Sequence, residues 1–80
     1  AKNFENALRT VTKFLEKAST NMDKGLFLQG QILEEKSSVQ NIKDAVESYD
    51  LLVKKHPESS LSDKAKRRSI YLKRFYINIR

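Results

Sequence analysis

Few side chains in this 80-residue sequence could do chemistry. His56 is the only histidine and there is no cysteine, so neither a His/Cys metal set nor a thiol–imidazole pair is available. A general base would also need an orienting carboxylate and a nucleophile within reach, whereas His56 stands between Lys55 and Pro57, as a turn residue would. Ser59 and Ser60 have no glycine elbow around them, and lying just ahead of Asp63 they suit helix capping. Asp44, Glu47 and Asp50 lack the glycine and the ligand spacing of a calcium loop and read as a solvated helix face. Gly25 and Gly30 form no phosphate-cradling loop. The expectation is a protein that is not an enzyme and uses no metal or other cofactor.

Charge is the more informative signal. Residues 1–60 carry nine Lys/Arg against nine Asp/Glu, and residues 61–80 carry seven against one, so the whole net charge of +6 lies in the last quarter. There Lys64, Lys66, Arg67, Arg68, Lys73 and Arg74 interleave with Tyr71, Phe75 and Tyr76. Such a stretch suits an acidic protein partner, and less well nucleic acid or an anionic membrane surface. No run of about 18 apolar residues exists to cross a bilayer. Without cysteines, a chain this short must hold itself together by helix packing or by association. It begins at Ala1 rather than Met and reads as a single domain, residues 1–80, cut from a longer polypeptide.

The elements that position these residues are helical throughout. Phe4, Ala7, Leu8, Val11, Leu15 and Ala18 recur at three and four residues, which predicts a helix over about 2–20 with Asn21 as its end or the next cap. A second helix is expected over about 22–36, apolar on more than one face. Gly30 at its middle costs roughly 1 kcal/mol against alanine and so implies a packing reason. Lys36–Asn41 is a polar break. Ile42, Ala45, Val46, Tyr49, Leu52 and Val53 predict a third helix over about 41–55, capped by Asn41 and stopped before Pro57. A fourth starts near Ser59 or Ser60 and runs through Leu61, Ala65, Ser69, Leu72, Phe75 or Tyr76, and Ile79. Its β-branched and aromatic end makes a strand the competing assignment, although the helix formers Ala65–Arg68 lead into it.

Leu26, Gly30 and Leu33, followed by Ala45, Tyr49, Leu52 and Pro57, stand at the large–small–large and small–aromatic–apolar–proline spacing of a tetratricopeptide repeat, which the chain resembles over residues 23–57. Gln29 departs from the leucine usual in that family, Leu26 and Leu33 replace aromatics, and the connection near Ser37–Asn41 is about three residues long beyond the family's. The segment from Tyr49 through His56, Pro57 and Ser59 to Ala65 and Arg68 is similar to repeats of bacterial envelope proteins, of the outer-membrane-protein assembly lipoprotein and Tol–Pal cell-division coordinator type. The resemblance implies four antiparallel helices in a right-handed solenoid fragment, a non-catalytic scaffold for protein–protein interaction, and a periplasmic or envelope setting. The residues alone are as compatible with the cytoplasm. The expected partner surface is Arg68, Leu72, Lys73, Arg74, Phe75, Tyr76 and Ile79, facing another protein, acidic in character, or a second copy of the chain. A basic helical nucleic-acid-binding module is the alternative.

Overall fold

The computed structural model describes residues 3–77. Four α-helices follow in order: α1 (Phe4–Lys17), α2 (Met22–Glu34), α3 (Ile42–Lys55) and α4 (Ser62–Leu72), the last running into a π-helical segment, Lys73–Ile77. There is no strand among the described residues, so the fold is all-α and the strand alternative for the tail fails as far as Ile77.

The helix ends have local causes. Asn3 and Asn41 each accept a backbone N–H three residues on, from Asn6 and Asp44, at 3.0 Å. Caps of this kind contribute about 1 kcal/mol each. Helix α1 stops at Lys17, earlier than the apolar stripe suggested, because Ala18 turns extended. Asn21 then takes a left-handed conformation (φ 58°), which asparagine tolerates better than most residues. Helix α3 stops at Lys55, and His56 leaves the helical region (φ −133°) ahead of Pro57. Neither Ser59 nor Ser60 caps α4, which begins at Ser62. Ser59 instead builds the turn before it: its Oγ accepts the Leu61 N–H at 3.0 Å and donates to Asp23 Oδ2 at 2.5 Å. That hydroxyl is the main reason the Asp23 carboxyl titrates below its ordinary value.

Cross-links between helices define their directions. Asn41 N–H donates to Leu33 O at 2.8 Å, Ser48 Oγ to Gln29 at 2.8 Å, and Ser59 reaches Asp23, so α2 and α3 run antiparallel. Arg68 meets Glu34 near the C-terminal end of α2, while Ser59, just before α4, meets its start. Helix α4 therefore runs beside α2 in the same direction, and both oppose α3. Ser38, in the α2–α3 connection, donates to Glu5 at the start of α1 at 2.9 Å, which sets α1 antiparallel to α2. Each helix packs chiefly on its neighbours in sequence, giving a slab of 38 × 34 × 18 Å. None of the described helices is long and apolar enough to cross a membrane.

The core is one cluster, Leu26, Leu33, Ala45, Val46, Tyr49, Leu52, Ala65 and Leu72. Tyr49 and Leu52 are wholly buried, whereas Pro57 stands exposed in its turn. Leu72, expected on the partner surface, is 1% exposed and belongs to this core. Its stripe partners Ala65 and Ser69, seven and three residues back, are buried on the same face of α4, turned toward α3. Gly30 has its packing reason: the Tyr49 ring lies on its bare backbone, so close that a Cβ there would sit 2.6 Å from Cε1. Ala45 is buried in the same interface, but the nearest neighbour of Gly30 is the ring.

This contact yields a prediction of unusual sign. In an exposed helix interior, Gly→Ala gains roughly 1 kcal/mol. Gly30→Ala should instead lose about 1–3 kcal/mol, because the new methyl overpacks a ring with nowhere to go. Urea unfolding followed by circular dichroism measures it, and a stabilised variant would show that the ring moves aside freely.

Candidate protein-interaction groove

A groove of about 460 Å³ opens between the two parallel helices α2 and α4. Helix α2 presents Phe27, Gln31 and Glu34, with Glu35 just past its end; α4 presents Lys64, Arg67, Arg68 and Tyr71; Tyr49 of α3 reaches it from beneath. The spacings explain the walls. Residues 27, 31 and 34 recur at four and three on one face of α2, as do 64, 67, 68 and 71 on α4. That face of α4 is adjacent to its buried stripe, so its cations are brought against α2 by the packing of Ala65, Ser69 and Leu72.

Three side chains tie the floor to the wall. Buried Tyr49 donates its hydroxyl to Glu34 Oε2 at 2.5 Å, and Arg68 donates to Glu34 Oε1 from Nε at 2.7 Å and from Nη2 at 2.5 Å. Burial first, and then the bond to the Glu34 carboxylate, holds the Tyr49 phenol well above its ordinary value. The same carboxylate raises the already high pKa of Arg68, which stays charged. The guanidinium also lies 4.5 Å over the Tyr71 ring, and Tyr71 meets the Phe75 ring at 4.7 Å. Phe27 packs edge-on against Tyr49 at 5.6 Å. Arg68 is thus held on two sides, while Lys64 and Arg67 stand exposed beside it. The groove offers fixed positive charge next to aromatic faces. It has no nucleophile–base pair; what it can do is hold an anionic group and an apolar neighbour together.

The residues expected to meet a partner do not share one surface. Arg68 is in the groove. Lys73 is turned toward α3, where it pairs with Asp50 at 3.2 Å, beside the Ser69–Asp50 bond of 2.5 Å. Arg74, Phe75 and Tyr76 are exposed in the π-helical segment, Phe75 by 63% and Tyr76 by 54%. Leu72 is in the core, and Ile79 lies outside the described residues. Missing from the expected surface were Phe27, Gln31, Glu34 and Glu35 on α2 and Lys64, Arg67 and Tyr71 on α4. The helical spacing could have grouped each set, but no pattern along the chain says that the two sets face each other.

No family model and no solved structure matches the chain. A bacterial relative, described as an "Uncharacterized protein" of Treponema pallidum (strain Nichols), is 30% identical over 79 residues, covering 96% of this chain. The chain spans 15% of that relative's length.

The Tyr49–Glu34 bond predicts an alkaline limit to stability. The folded protein keeps the Tyr49 proton where the unfolded chain, with a phenol near pH 10, releases it. This contribution is full below about pH 10 and is lost as pH rises from there, by up to about 1.4 kcal/mol per pH unit. Tyr49→Phe removes the term. It should cost about 1–2 kcal/mol at pH 7 through the lost bond, yet flatten the decline above pH 10. Urea midpoints of both proteins between pH 7 and 11 test this, and parallel profiles would refute it.

Proposed function

We propose that this chain is a non-catalytic protein-interaction module of tetratricopeptide type, which holds an acidic segment of a partner protein in the groove between α2 and α4. The observation that carries the reading is the α4 wall: Lys64 and Arg67 exposed at helical spacing, with Arg68 pre-positioned by Glu34 and Tyr71. A pre-positioned cation loses little side-chain freedom on binding, so more of its electrostatic attraction appears as affinity. Aromatic rings beside arginines are also the composition that dominates binding energy in interfaces.

Several features support the repeat reading. Helices α2 and α4 run parallel with α3 opposed to both, Gly30 admits Tyr49 to a close approach, and Pro57 ends α3 where the chain must turn into the next helix. The envelope setting rests on the resemblance of the Tyr49–Arg68 segment to envelope repeats, and the relative's bacterial origin agrees with it. Nucleic acid fits the groove less well. Arg68 is already paired with Glu34, which leaves Lys64 and Arg67 on the α4 wall, too few cations for the line of phosphates that a strand laid along α4 would bring.

Charge reversal tests the reading. A fluorescein-labelled, glutamate- and aspartate-rich peptide and a single-stranded oligonucleotide of similar charge serve as probes, followed by anisotropy. Lys64→Glu with Arg67→Glu should weaken peptide binding roughly tenfold or more, with helicity and melting little changed, because both residues are exposed. Unchanged peptide affinity in the double variant would overturn the proposal. So would tighter binding of the oligonucleotide that collapses between 50 and about 200 mM salt.

A further inference from the structure

The first pairing of helices carries a second, chemically different groove. It holds about 370 Å³ between the later half of α1 and the first half of α2, and it is lined by Val11 and Phe14 on one side and by Gly25 and Leu28 on the other. Thr10 and Asn21 supply its few polar groups. Gly25 sets its depth. A Cβ there would meet Leu15 at 2.8 Å and Phe14 at 3.0 Å, so α1 and α2 approach on bare backbone. Phe14 and Leu28 are exposed, and α1 packs principally on α2, which leaves the groove side of α1 uncovered.

The rim is basic. Lys24 lines the groove, and Lys13 and Lys17 follow Thr10 and Phe14 by three residues each, along the same side of α1. The nearby acids point elsewhere. Glu5 accepts from Ser38, Asp23 accepts from Ser59, Glu35 lines the other groove, and Glu16 falls on the opposite side of α1 by helical phase.

We infer that this α1–α2 groove takes the apolar face of a partner's amphipathic helix that carries acidic residues along its flanks. The apolar floor decides that the occupant is helical. Both walls are helices, so there is no open sheet edge to which an extended segment could add. A strand laid on Val11, Phe14 and Leu28 would bury its own N–H and C=O groups without partners, whereas a helix satisfies them internally. The basic rim decides the sign of the flanks, and it also opposes the basic last quarter of a second copy as its occupant. The site is separate from the α2–α4 groove and stands whether or not that groove binds an acidic segment.

The test uses a labelled, helix-forming peptide of about 14 residues with leucines at i, i+3, i+4 and i+7 and glutamates on both flanks, and a control with lysines in place of the glutamates. The acidic peptide should bind the full chain, gain helicity on binding, and bind roughly tenfold or more tightly than the control. Leu28→Glu should weaken the acidic peptide about as much. Lys24→Glu should weaken the acidic peptide and strengthen the basic one, a crossover that damage to folding could not produce. Equal binding of the two peptides, or unchanged binding by Leu28→Glu, overturns the inference. So does sedimentation showing a dimer that Leu28→Glu dissolves, which would make a second copy the occupant.

Discussion

One close contact organises the centre of this protein: the Tyr49 ring lying on the bare backbone of Gly30. The contact brings α2 and α3 together at their middles and leaves the phenol with no water around it. A buried hydroxyl without a partner is costly, so its bond to Glu34 is a requirement of the packing rather than an ornament to it. Glu34 in turn has its charge balanced by Arg68, which reaches across from α4. Packing of a ring on a glycine thereby settles where a cation stands two helices away.

The consequences run outward from that triad. Arg68 is fixed between Glu34 and Tyr71, and the neighbouring turns of α4 carry Lys64 and Arg67 to the same wall. The opposite side of α4 is consumed by the core. Leu72 is buried there, and Ser69 and Lys73 both engage Asp50 of α3. A helix that reads as uniformly basic is thus divided into cations that serve packing and cations that face open space. The two grooves differ for the same kind of reason. Between α2 and α4, polar residues line the walls because the core is already closed beneath them by Tyr49. Between α1 and α2, the apolar residues are themselves the surface, because no further described helix lies over them.

Much of the local structure was legible along the chain. The stripe Ile42–Val53, the Asn41 cap and Pro57 specified α3 nearly to the residue, since each acts within a few positions of itself. Two departures have different causes. Ser59 and Ser60 both suit capping of α4, but Ser59 is drawn off by Asp23, 36 residues away, a competitor that no nearby residue announces. Leu72, Phe75 and Tyr76 lie close enough along the chain to look like one apolar surface. The helical phase separates them: Leu72 follows Ala65 by seven residues onto the α3 side, and Phe75 follows Arg68 and Tyr71 onto the other.

The amino-acid sequence by itself determined that the chain is helical, where three of its four helices begin, which stripe of each is apolar, and that its excess charge belongs to the last quarter. These follow from backbone propensity and periodicity, which act over one or two turns. Only the tertiary structure decided which faces meet. Setting α4 parallel to α2 turned Lys64, Arg67 and Arg68 from a basic stretch into one wall of a groove, and supplied Phe27, Gln31 and Glu34 as the other. That choice depends on how a handful of side chains interlock, with Tyr49 on Gly30 foremost among them. Interlocking is a property of surfaces brought together from distant parts of the chain, so it has no signature in the order of residues alone.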